Sequence, residues 1–159
     1  MFLSTLARGF AAAAIFATPT VSFADIVVSE SYARVSRPNA PTGAAFLVLE
    51  NTGSTADRLM GVRSEVAKRV ELHTHIDQGD GVMKMSKIEE GIEIPAGTVY
   101  TMQRGGDHVM FMGVIDPLVQ GEDIEIVLTF EQAGDVTVVI PVDNDRTPEH
   151  GAKTHNHGN

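Results

Sequence analysis

Val70-Glu71-Leu72-His73-Thr74-His75-Ile76 alternates apolar and polar side chains, the period of a strand whose two faces meet different surroundings. Val70, Leu72 and Ile76 form the set expected to face a core, and Glu71, His73 and His75 share the opposite face. A second stretch, His108-Val109-Met110-Phe111-Met112, repeats the arrangement. Val109 and Phe111 suit an apolar interior, while His108, Met110 and Met112 face together away from it. In Met83-Lys84-Met85 the two thioethers share one side. Three short segments thus each present soft or borderline metal ligands on a face that the core does not use.

The same reading extends along the chain. Further strands are expected at 26–29, 44–49, 58–62, 98–102, 124–130 and 136–142, and the quoted segments widen to 68–76, 82–88 and 108–115. Between them lie turn compositions: 36–43, Asn51-Thr52-Gly53, Gly79-Asp80-Gly81, Pro95-Ala96-Gly97, Gly105-Gly106-Asp107, Asp116-Pro117 and Ala133-Gly134-Asp135. Many short strands with frequent turn signals predict an antiparallel sandwich or small barrel. No internal repeat and no second domain are visible.

The two ends read differently. Arg8, the apolar run Phe10 to Ala17 and Ser22-Phe23-Ala24 make residues 1–24 a secretory signal with cleavage near Ala24,. That run is far shorter than the about 20 residues a membrane span needs, so no stable membrane insertion is expected after cleavage. Residues 25–143 are then the folded domain. Residues 144–159 hold no large apolar side chain but carry His150, His155 and His157, a composition expected of a flexible tail.

Composition narrows the function. The net charge is −9, and loss of the signal removes one further positive charge, Arg8. Such a surface repels phosphate backbones and excludes nucleic acid as a natural partner; it suits docking on a basic protein patch. The chain has no cysteine, which removes disulfides, zinc fingers, thiol enzymes and blue-copper electron transfer.

The central stretch holds the chemistry. Of six histidines, three are His73, His75 and His108; of seven methionines, Met83, Met85, Met102, Met110 and Met112 fall between residues 83 and 112. Each alone has an ordinary explanation, since methionine commonly fills gaps in a core, and Met102 is assigned there. Their coincidence on one face is what a packing role does not explain. Thioether sulfur is soft and uncharged, a poor ligand for zinc, calcium or magnesium but a good one for Cu(I). Two methionines with two histidines carry no net charge and favour a monovalent ion.

Glu71-Leu72-His73, Gly81-Val82-Met83-Lys84-Met85, Ile94-Pro95-Ala96-Gly97 and the run from Gly105 to Gly113 resemble the periplasmic copper chaperone family PCuAC, and weaker similarity at Ser31-Tyr32-Ala33-Arg34 and Asn51-Thr52-Gly53 extends the resemblance over most of the mature chain. The resemblance implies a cupredoxin-like fold, so the expected class is all-β: a cupredoxin-like or immunoglobulin-like antiparallel Greek-key barrel or sandwich. It marks His73, Met85, His108 and Met110 as Cu(I) ligands. Eleven residues separate His73 from Met85 and twenty-two separate Met85 from His108, one more than the family pattern in each case. His75 in place of His73, Met83 in place of Met85, and Met112 therefore stay open as secondary candidates. The resemblance also implies delivery towards the dinuclear copper centre of cytochrome c oxidase, alongside a Sco-type protein. The tail histidines read either as a Cu(II) site or as an ordinary polar extension.

A different class competes: a periplasmic zinc or copper hydrolytic or redox enzyme with His73, His75 and His108 as ligands and Glu71 as base. It leaves the methionines unexplained. The expectation is a carrier rather than an enzyme.

Overall fold

The computed structural model describes residues 25–147. Ten strands run β1 (Ile26–Val35), β2 (Thr42–Asn51), β3 (Asp57–Arg63), β4 (Ala67–Asp77), β5 (Met83–Lys87), β6 (Ile92–Ile94), β7 (Val99–Met102), β8 (His108–Val114), β9 (Asp123–Phe130) and β10 (Asp135–Pro141). One sheet has the order β1-β2-β8-β4-β5 with β7 also on β2; the other has the order β10-β9-β3-β6. Every named pair is antiparallel. Neighbours far apart in sequence, such as β2 and β8, are what Greek-key connections produce.

Period-two alternation supplies the core between the sheets. Leu47 and Leu49 of β2, Leu72 of β4 and Val109 and Phe111 of β8 meet Leu59, Ile94, Ile126, Leu128 and Ile140 from the other sheet, all buried. Met102 is buried in this cluster, as expected. Two buried polar side chains are fully occupied. Asn51 donates to the carbonyls of Thr55 and Ile94 and accepts from the Gly53 amide. Asp57 accepts from the amides of Arg58, Gln132 and Ala133.

Three local departures from the alternation matter. β1 continues past Ser29 because the register shifts between Ser29 and Tyr32, with Glu30 at φ 48°, so the short strand expected at 26–29 resumes after a bulge. β6 is three residues long and escaped the sequence reading; Gly91 enters it at φ 71°, where a Cβ would lie 2.5 Å from the Leu59 carbonyl oxygen. Ile76 was expected inside but is 44% exposed. β8 pairs with β4 only as far as His73, and residues 74–77 pair with β5 alone, so the end of this hairpin overruns the core.

A further irregularity builds the site. β7 pairs Met102 with Leu47, and β8 pairs Val109 with Ala45. β7 and β8 thus lie end to end along the same flank of β2, and residues 103–107 arch out opposite Phe46. Gly105 at φ 82° makes the turn, closed by the Gly106 amide on the Gln103 carbonyl. The Tyr100 hydroxyl donates to the Asp107 carboxylate and ties the arch down.

Candidate metal centre

The outer face of the larger sheet can be read in rows from the register. Arg34, Ala44, Met110 and Glu71 stand side by side on β1, β2, β8 and β4. One row on, His108 faces His73, and beyond them His75 faces Met85 on β5. His75, Met85, His108 and Met110 line one open pocket of about 350 Å³, with Ala44 and Phe46 of β2 and with Arg34, Arg104 and Gly105.

His108 shares this outward face but is only 2% exposed, because the arch and Phe46 cover it. Its Nδ1 lies 2.9 Å from the Gly106 carbonyl oxygen. A carbonyl only accepts, so Nδ1 carries the proton and Nε2 is left with a lone pair. That buried Nε2 has no hydrogen-bond partner among the described residues. His73 repeats the logic with its nitrogens exchanged. Nε2 lies 3.0 Å from the Glu71 carboxylate, and the buried Nδ1 has no partner among the described residues. The ring centroids are 6.1 Å apart. Leaving a buried acceptor unpaired costs about 1–3 kcal/mol. Two such atoms on adjacent strands offer lone pairs to an electron-pair acceptor, and each ring is held by an outer hydrogen bond of the kind that orients metal-binding imidazoles,.

For His108 the electrostatics agree with a neutral imidazole. Burial holds His108 below the ordinary imidazole value, against the pull of the Gly106 carbonyl, and the neighbouring His75 and His73 add to the lowering. The His73 imidazole holds the Glu71 carboxyl below the usual range; burial opposes this, and the charge of Arg69 adds to it.

The remaining candidates separate by position. His75 stacks at 5.0 Å from His108 and places Nδ1 3.3 Å from the same Gly106 carbonyl. His75 lines the pocket and His73 does not, whereas among the described residues it is His73 whose buried nitrogen lacks a partner; the lone pair left open favours His73 as the ligand, with His75 beside it. Met85 is 41% exposed and Met110 half-buried, both in the pocket. Met83 is 51% exposed opposite Asp77 and outside the pocket lining. Met112 stands opposite Arg69, whose guanidinium is 3.2 Å from its sulfur, a poor setting for a second cation. His150, His155 and His157 lie outside the described residues. Among the described residues, no three His, Asp or Glu side chains are grouped to hold a metal.

The sequence reading missed Ala44, Phe46, Arg34 and the Gly106 carbonyl. The first two were hidden in a nearly continuous apolar run that shows no faces, and a backbone oxygen has no sequence signature.

Comparison with known proteins follows the same lines. The family model described as "Putative lipoprotein LpqE-like" matches residues 26–142. "Putative lipoprotein Lxx21020" of Leifsonia xyli subsp. xyli is 33% identical over 115 residues, covering 72% of this chain and 69% of that protein. Among solved structures, the copper-bound PCuAC domain from PmoF2 superposes with a TM-score of 0.62 at 23% identity, over 79% of this chain and 99% of that one. DR1885 of Deinococcus radiodurans, solved in apo form, gives 0.58 at 27% identity over 91% and 97% of the two chains. Its Cu(I) form gives 0.57 at 29% identity over 74% and 79%. The architecture is that of the cupredoxin-like PCuAC domains.

Proposed function

The chain belongs to the LpqE-like family, and from that premise we propose that it is an exported copper(I) carrier, a metallochaperone rather than an enzyme. His73, Met85, His108 and Met110 hold the ion in this reading, with His75 beside them. The observation that carries it is the pair of buried imidazole nitrogens without partners among the described residues, on adjacent strands, next to thioethers at an open pocket. Solved relatives of this architecture are described as copper-bound and Cu(I)-bound.

The chemistry fits cargo that must be released. Four neutral donors match a single positive charge, and soft sulfur disfavours divalent zinc. Half-exposed Met85 is the ligand an incoming donor displaces first, while His108 stays anchored by Gly106. Delivery runs, in this reading, towards the dinuclear copper centre of cytochrome c oxidase or a Sco-type partner, in the periplasm after cleavage near Ala24. The tail histidines add a Cu(II) site. The relatives' description as lipoproteins supports export, although a thiol-linked lipid has no attachment point in these 159 residues.

X-ray absorption of the Cu(I)-loaded protein should show sulfur scatterers at the metal, and removal of residues 148–159 should leave them in place. His108→Ala with Met110→Ala should abolish uptake at this site while the strand signal in circular dichroism persists. A shell of nitrogen and oxygen alone, or tight uptake in the double variant, would refute the assignment and favour an imidazole-only enzyme centre.

A further inference from the structure

Among the described residues, Arg34 and Arg104 are the charged residues lining this pocket, and no carboxylate lines it. Neither arginine makes an ion pair or side-chain hydrogen bond among the described residues. In a chain of net charge −9 that is an unexpected place for unpaired cations, since a guanidinium beside a cation site raises the cost of filling it. Two carboxylates beside the pocket, Glu71 and Asp107, are engaged. Glu71 is bonded to His73 and lies 3.5 Å from Arg69, and Asp107 accepts from Tyr100. Storage of copper is not helped by Arg34 and Arg104. Arrival of an anion is.

The rim opposite is apolar. On β5, Met83 and Met85 are 51% and 41% exposed, with Val82, 58% exposed, in the turn before them; Asp77 opposite Met83 is the acidic residue at the end of this edge. On the other side the surface continues: Arg34 also lines a second hollow of about 400 Å³ with Arg37, Leu118 and Val119, where Asp145 is the acidic lining residue. Arg37, too, has no ion pair among the described residues. Arginine, methionine and apolar area around a central pocket are the composition of a protein-binding surface; a small anion would have no use for the apolar rim.

We propose that the mouth of the pocket is a docking surface for an acidic copper-accepting protein, whose carboxylates engage Arg34 and Arg104 while its copper ligand enters beside Met85. This rests on the carrier reading and names the partner's chemistry. It also reverses the expectation from net charge, because the contact face differs in sign from the whole. The arginines act on the encounter and on the incoming anionic ligand, and do nothing to raise the resting affinity.

The test uses two synthetic acceptor peptides with the same Cys-x-x-x-Cys copper-binding core, one flanked by aspartates and the other by lysines. Stopped-flow transfer from the Cu(I)-loaded protein should be about tenfold faster to the aspartate peptide at low salt. Arg34→Gln with Arg104→Gln should close that gap and leave equilibrium Cu(I) affinity, measured by chelator competition, unchanged or higher. A gap that survives the double variant, or is absent from the wild type, overturns the proposal. A second arm uses copper-free protein, in which the aspartate peptide should shift the amide resonances of residues 34–36 and 104–106. Equal shifts from free glutamate would reduce the surface to an anion site and also overturn it. Failure of the carrier reading shows separately, as a wild type that takes up no Cu(I).

Discussion

Ala44 stands between Arg34 and Met110 on the outer face, and its single methyl keeps the pocket open beside the thioether. Ala44→Leu fills that space from a partly exposed position, so it should weaken Cu(I) binding at least about tenfold while the melting temperature moves little. Chelator competition alongside calorimetry checks this; unchanged affinity would show that Met110 does not bind from this side. The residues that line the pocket were half legible. Alternation placed His108 and Met110 on one face because Val109 and Phe111 fill the opposite one. The burial of His108 was not legible, since it comes from Phe46 and from an arch whose path depends on pairing with β2.

At the scale of elements, the sandwich depends on tethers as well as on its apolar filling. Asp57 at the start of β3 gathers three amides, two from the turn between β9 and β10. Asp57→Ala strands those donors in a buried place and should destabilise the fold by about 2–4 kcal/mol in urea titration, with Cu(I) uptake by the folded fraction intact. A loss under about 0.5 kcal/mol would mean that water replaces the carboxylate. Strand existence was readable where apolar residues alternate over six or more positions, as in β9, where Ile124, Ile126, Leu128 and Phe130 point inward. Readability failed at β6, too short to show a period, and at β1, where the bulge at Glu30 breaks one. Ile76 failed for another reason: periodicity gives a face, but only strand register says where the covering sheet ends.

For the molecule as a whole, a cysteine-free chain relies on packing, and acid is the condition that tests it. Because burial keeps the native His108 below 6.5, its value when free, the unfolded chain takes up a proton there while the folded one stays neutral. The unfolded state then binds more protons, so stability falls as pH drops below about 6.5 and levels off beneath the native value. Glu71 and Asp135, both held below the usual carboxylate range, contribute only at lower pH still. The melting temperature of the copper-free protein should therefore decline between pH 7 and pH 5, and His108→Gln should flatten the decline; an equal slope in that variant would assign the proton elsewhere. The span from Gln103 to Asp107 has a different consequence, one for evolvability. Both of its flanks are locked to the same neighbour, so a residue gained or lost there alters the height of a roof without disturbing the walls. Lineages can retune how tightly the metal is enclosed by small indels, and two glycines inserted after Gly105 should speed copper release while leaving the unfolding midpoint nearly unchanged. A large fall in that midpoint would show that roof and walls are one piece.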